Sequence, residues 1–208
     1  MMRNPTSGRA LRSLRTRARI LEAAEDRFAQ LGFAGTRVEA IARQAGIRRA
    51  SLFYHFRDKS EIYDEVLRKL FDPLQERMRK LFERGLGEQL IEPAISELFD
   101  FLAERPRAAR IILREIADAE PRGDPPLLRH AGGILCDVEE LLRPLRGAGV
   151  DPLRLMLTVI GAAVFFVTTT PLLTPIASRN PGEEVRRHKV ELSLLVRRQL
   201  GLGLSRDA

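Results

Sequence analysis

From Ile20 to Leu200 the apolar residues of this chain recur at intervals of three and four, and almost nowhere do they alternate singly with polar ones. That period belongs to helices that bury one face, and it leaves little sequence for strands. The first clear face is Ile20, Leu21, Ala24, Phe28 and Leu31, with Thr16 as a cap and Gly32 as a stop. A second helix is signalled by Thr36, continues through Val38, Ile41, Ala42 and Ala45, and ends at Gly46. A short third segment runs from Arg49 to Tyr54. A fourth starts after Asp58 or Ser60, where Glu61 in the first turn complements the helix dipole.

Further helices are expected over Ser60–Phe71, Pro73–Arg84, Gln89–Glu104, Arg107–Ala119, Pro126–Leu145, Pro152–Thr170 and Glu183–Leu200. The breakers between them are Gly85 and Gly87, Pro106, the stretch Pro121–Pro126, Gly147 and Gly149, and Pro171 to Pro181. Pro73 and Pro144 mark either boundaries or frayed ends. The β-branched run Val164–Thr170 is strand-like by itself, but it continues Leu155–Ala163 without a break, which favours helix. The expectation is an all-α fold: residues 1–14 a flexible basic arm, 15–60 a small three-helix module, and 61–208 a larger helical bundle.

Charge divides the chain the same way. The net charge is +7, and residues 1–60 hold 13 Arg and Lys against 5 Asp and Glu, whereas the remainder holds 22 against 23. A basic segment joined to a neutral body is what a polyanion-binding module would look like, with nucleic acid favoured over a membrane surface. At 44% hydrophobic and 30% charged residues the composition is that of a globular protein. Cys136 is the single cysteine, so no internal disulfide forms and a reducing cytoplasm is the expected setting. The most apolar stretch, Leu155–Val167, is shorter than the ~20 residues that cross a bilayer and is read as a buried helix, with no membrane partner. No phosphate loop, nucleophile elbow or zinc-binding helix motif is present, and His55, His130 and His188 lie far apart. No catalytic residue, metal or cofactor is therefore expected.

The segment Val38 to Phe56 carries the functional argument. Two short helices that cross steeply need a small residue where their backbones approach, and Ala42 supplies one. The turn between them needs a residue at ease with positive φ, and Gly46 follows four positions later. Ile41, Ala45, Ile47 and Leu52 are the apolar pins. An ordinary αα-corner uses the same logic, so the spacing alone leaves both readings open. The polar inventory separates them: Arg48, Arg49, Ser51, Tyr54 and His55 crowd one short element, and Lys59 follows. Arginine can address guanine edges in the major groove, while Ser and Tyr can reach phosphate.

Gly35-Thr36-Arg37-Val38 through Ala42, then Ala45-Gly46-Ile47, then Leu52-Phe53-Tyr54-His55-Phe56 with Lys59, closely resembles the DNA-binding domain of the TetR family of repressors. Ile20 to Ala24, Phe28 and Gly32-Phe33 are similar to that family's first helix and its exit. The resemblance covers 15–66, a quarter of the chain. It implies that Thr36 and Arg37 open the second helix against the phosphate backbone. Arg48, Arg49 and Ser51 fall where the recognition helix reads bases. Phe53, Tyr54 and His55 fall at its aromatic and histidine contact positions, and Lys59 at its phosphate-binding lysine. Two positions depart from the pattern: Arg48 stands where a Ser or Thr cap is common, and Phe53 where a tyrosine is common.

The same resemblance implies a homodimer pairing through Pro152–Thr170 and Glu183–Leu200, a palindromic operator in double-stranded DNA, and an unidentified small-molecule effector whose binding relieves repression. Phe99, Leu102, Ile112, Cys136 and Phe165 are the candidate pocket residues, with Phe101, Ile111 and Leu135 beside them, although plain core accounts for each of them too. The basic arm is a candidate for added phosphate or minor-groove contact. An enzyme, a sequence-independent DNA-compacting protein and a membrane-surface protein are the rival readings. The missing motifs weigh against the first, and the near-neutral body of about 150 residues weighs against the second. Only the arm supports the third.

Overall fold

The computed structural model describes residues 5–85, 88–119, 125–143, 151–176 and 180–201. Nine α-helices occur among them, with no strand: α1 Pro5–Gly35, α2 Val38–Gln44, α3 Arg49–Phe53, α4 Lys59–Phe82, α5 Ile91–Glu104, α6 Pro106–Asp118, α7 Pro126–Leu142, α8 Pro152–Leu173 and α9 Pro181–Gln199. A 3-10 turn, Glu88–Leu90, leads into α5. The fold is all-α. The chain divides into two compact units, one ending at Leu70 and one beginning at Phe71.

In the first unit α1 starts at Pro5, so residues 5–14, expected as an arm, are helical. That stretch has no packing face, but Ala10, Leu11, Arg12, Leu14 and Arg15 are strong helix formers, and proline suits a helix's first position. The other end of α1 leaves helical geometry at Gly32, with φ 71° and ψ 179°. Such a break exposes carbonyls that have lost their helical partners. The Thr36 hydroxyl, with one proton to give, lies 2.7 Å from Gly32 O and 3.2 Å from Arg27 O and donates to this pair of carbonyls. Beneath the turn, Phe28, Phe33 and Tyr63 cluster, with Phe28 and Tyr63 edge to face at 4.6 Å. Ile62, Tyr63, Val66 and Leu67 of α4 are buried in this way, which is why the compact unit runs ten residues past position 60.

α4 is one continuous helix through Pro73, where two were expected. Its start is capped by Asp58, whose Oδ1 accepts from Glu61 N at 2.8 Å, while the Glu61 carboxylate accepts from Arg57 N at 2.6 Å. Proline costs the helix one hydrogen bond, and the buried residues on either side, Leu70, Phe71, Leu74 and Met78, keep it on course.

The second unit is built round α8, which packs against α5, α6, α7 and α9. Phe99, Phe101 and Leu102 of α5, Ala109 and Ile111 of α6, Ala163 and Val164 of α8 and Val196 of α9 are buried together in its core. Asp151 caps α8 through Leu153 N, and Asn180 caps α9 through Gly182 N and Glu183 N. Glu183 and Glu184 open α9, and Arg197 and Arg198 close it, both in line with its dipole. At the β-branched end of α8, Thr168, Thr169, Thr170 and Thr174 each donate a hydroxyl hydrogen bond to the carbonyl four residues earlier, which satisfies their polar groups within the helix. By length and composition α8 is a candidate for a membrane span, longer than the 13 residues of Leu155–Val167, and only 28% of its apolar window is buried. The breakers expected at Gly87, Pro144, Gly147 and Gly149, with most of Pro121–Pro126, lie outside the described residues.

Candidate nucleic-acid interface

The α2–turn–α3 element is held on α1 by its apolar side. Ile41, Ala42, Ala45, Leu52 and Phe56 are buried, as are Ile20, Ala24 and Phe28 of α1. Gly46 makes the turn at φ 65°, and a Cβ there would lie 2.7 Å from the Arg19 guanidinium. That guanidinium is in place because Arg19 donates to Ala45 O, the carbonyl released as α2 ends. Arg17 does the same for α3: it donates to His55 O (2.8 Å) and to Glu65 Oε1 (2.5 Å), and it lies 4.1 Å over the Phe56 ring. Burial opposes charge on Glu65, but hydrogen bonds from Arg17 and Arg68 outweigh it and hold the carboxyl below its ordinary value. Both arginines lie on α1 among residues read only as basic, and no sequence signal separates such structural clasps from free charges.

With its apolar side anchored, the element turns its polar side outward. Arg37, Arg48, Arg49 and Ser51 are exposed, and Tyr54 is 79% exposed. Arg49 is oriented by a 3.1 Å ion pair with Glu39 of α2 and by the Phe53 ring beneath it, 5.4 Å away. Phe53 therefore supports an arginine, a use to which the missing tyrosine hydroxyl is irrelevant. Arg48 is the N-cap of α3 in extended geometry with no side-chain capping bond, so its guanidinium is not spent on the helix start. His55 is half-buried and meets Tyr54 edge to face at 5.4 Å. Arg57, highly exposed just beyond the aromatic pair, joins this surface and was not singled out in the sequence because it lies past α3 in the link to α4.

Two expected contact residues are placed differently. Thr36 is 2% exposed with its hydroxyl committed to the end of α1, so as a side-chain phosphate contact it is corrected to a structural clasp. Lys59 is half-buried, donates to Phe33 O (2.8 Å) and Thr36 O (3.1 Å), and sits 4.3 Å over the Phe33 ring. Its charge is applied to two carbonyls beside the same kink, one of which, Phe33 O, also accepts from Thr36 N. Both residues follow from Gly32: once the helix breaks there, the nearest donors are drawn in.

The second unit contains a cavity of about 240 Å³ among α4, α5, α6, α7, α8 and α9, with Leu74, Ile95, Ile112, Leu135 and Ile160 in its walls. Of the candidate pocket residues and those named beside them, Ile112 and Leu135 line it. Phe99 and Leu102 are fully buried but pack elsewhere in the core. Cys136 is exposed and faces a neighbouring recess with Glu139 and Asp151, and Phe165 is 63% exposed on the outside of α8. These corrections share one cause: periodicity marks a helix's apolar residues without saying which gap each faces. Among the described residues no group of three His, Cys, Asp or Glu is arranged to hold a metal.

Residues 20–66 match the family described as bacterial regulatory proteins, tetR family. The chain is similar to the HTH-type transcriptional regulator RutR of Escherichia coli (strain K12), 25% identical over 185 residues, covering 86% of this chain and 87% of that one. Its fold is shared by HlyIIR, a hemolysin II transcriptional regulator (TM-score 0.65, 19% identity, 87% of this chain and 98% of that one). The transcriptional regulator FadR from Bacillus subtilis, solved in complex with stearoyl-CoA, shares it too (TM-score 0.62, 20% identity, 90% and 99%). The chain is thus a DNA-binding transcriptional regulator. Over residues 20–66 it matches the tetR family of bacterial regulatory proteins.

Proposed function

We propose that this regulator is a homodimeric repressor that occupies a palindromic operator and leaves it when a small molecule enters the second unit. The observation that carries the reading is the outward row of Arg37, Arg48, Arg49, Ser51 and Tyr54 on an element whose apolar side is fully anchored. A rigid, exposed row of this kind suits the major groove, with Arg49 and Ser51 reading bases and Arg37, Arg48 and Tyr54 positioning the protein on phosphate. DNA binding is assigned to the unit ending at Leu70, and pairing and effector binding to the unit beginning at Phe71.

Pairing is supported by the outer face of α8 and α9. Leu157, Phe165, Leu172 and Leu173 of α8 and Val190, Leu194 and Leu195 of α9 are exposed large hydrophobics, more than a soluble monomer usually leaves in one region. A two-fold dimer through this face would present two recognition helices to a two-fold site. The effector role is supported by the cavity, and FadR's structure with stearoyl-CoA shows that one protein of this fold holds a small molecule.

The test is selection from random duplex DNA by the purified protein, followed by titrations at two salt concentrations and sedimentation. The expected result is one palindromic site, bound by a dimer far more tightly than scrambled duplex. Recovery of no consensus, with wholly salt-governed binding, sinks the operator reading. Partition onto lipid vesicles through α8 in preference to pairing sinks the dimer reading.

A further inference from the structure

The proposed effector role leaves open what the cavity of the second unit accepts, and its walls answer in chemical terms. Every lining side chain among the described residues is Ala, Val, Leu, Ile, Met or Phe. No hydroxyl, amide, carboxylate, imidazole or guanidinium is among them, so a polar or charged group brought inside would give up its water with no side chain to replace it. Ligand sites that take polar molecules carry a few convergent polar groups, and this one carries none on its side chains.

Size narrows the class further. An apolar cavity of roughly 150 Å³ accepts benzene, so one of about 240 Å³ has room for about ten carbon atoms. The apolar lining also continues to the surface. Ile116 of α6, Leu128 of α7 and Leu157 of α8 line the cavity and are 53%, 50% and 60% exposed, so a molecule entering past them meets hydrocarbon from solvent inward. Met78 and Met156, unbranched and adaptable, let the walls fit chains of different shape.

From this lining we infer that the cavity takes an uncharged hydrocarbon body of about ten carbons, admitting a polar group only where the exposed lining residues Ile116, Leu128 and Leu157 meet solvent. The inference deepens the effector reading and rests on it for its biological role, but the binding chemistry is tested separately. Ala94 of α5 and Ala131 of α7 line the cavity, and a phenyl ring at either position would fill part of it.

The experiment titrates the full chain with decan-1-ol and with decanedioate, which has the same carbon chain with a charge at both ends, following calorimetric heat and Tm. Decan-1-ol is expected to bind, raise Tm and show the negative heat-capacity change of apolar burial. Decanedioate is expected to bind at least roughly tenfold more weakly, since either end would carry a charge inside. Ala94→Phe and Ala131→Phe, each checked for folding by circular dichroism and retained operator binding, are expected to weaken decan-1-ol by a similar factor. No binding of decan-1-ol, equal binding of the diacid, or binding untouched by both substitutions overturns the inference. Decan-1-ol that binds without changing operator affinity upholds the cavity's chemistry and overturns the effector reading. Release of the operator by decanedioate does the reverse.

Discussion

Arg48 and Lys59 are both cationic residues beside the same short helix, yet the structure gives them opposite tasks. Arg48 is exposed with no side-chain capping bond, whereas Lys59 is turned onto two carbonyls and an aromatic ring. Arg48→Ala is expected to lower DNA affinity evenly across sequences and reduce the slope of log affinity against log salt by about 1. Arg49→Ala is expected to relax preference at particular base positions, read by repeating the duplex selection with the variant. Lys59→Met, which leaves the Phe33 and Thr36 carbonyls without that donor, is expected to lower unfolding free energy by about 1–3 kcal/mol, read by urea denaturation. His188 supplies a pH signature in the second unit, stacked on Phe166 at 3.8 Å with Phe99 at its edge. Burial lowers its pKa below 6.5, against the opposing pull of Glu191. As pH falls through 6.5 the unfolded chain takes up this proton before the folded one, so stability is lost on the acid side. The urea midpoint is expected to be lower at about pH 5.5 than at about pH 7.5, with His188→Phe narrowing the gap.

At the scale of elements, the sequence was most legible where turn chemistry and apolar period agreed. Ala42 and Gly46 at their spacing, with Ile41 and Leu52 as pins, place α2 and α3 within two residues of where the pattern puts them. Legibility failed where propensity acted without packing, as over 5–14, and where packing overrode a breaker, as at Pro73. Side-chain destinations were less legible still. Thr36 reads as a helix opener, and it lies just before α2, but its hydroxyl bonds backward across the kink at Gly32. α8 and α9 raise the one prediction that belongs to whole helices. If their outer face is where two copies meet, Leu195→Arg or Phe165→Glu is expected to shift sedimentation from dimer to monomer and reduce operator affinity by roughly tenfold or more, with the helical circular dichroism unchanged. A variant that remains dimeric at micromolar concentration excludes that face.

For the molecule as a whole, α8 is an element whose surroundings one copy leaves incomplete: Leu153, Leu157, Phe165, Leu172 and Leu173 are each more than half exposed. Two copies that cover this surface for one another make abundance a regulatory variable. Operator occupancy would then rise with the square of chain concentration while monomers dominate, and melting temperature would climb with protein concentration by mass action. A cell holding few copies would leave the target gene open, and a modest increase in synthesis would close it steeply. In that case the threshold of the response is set by the strength of a hydrophobic contact far along the chain from the residues that touch DNA.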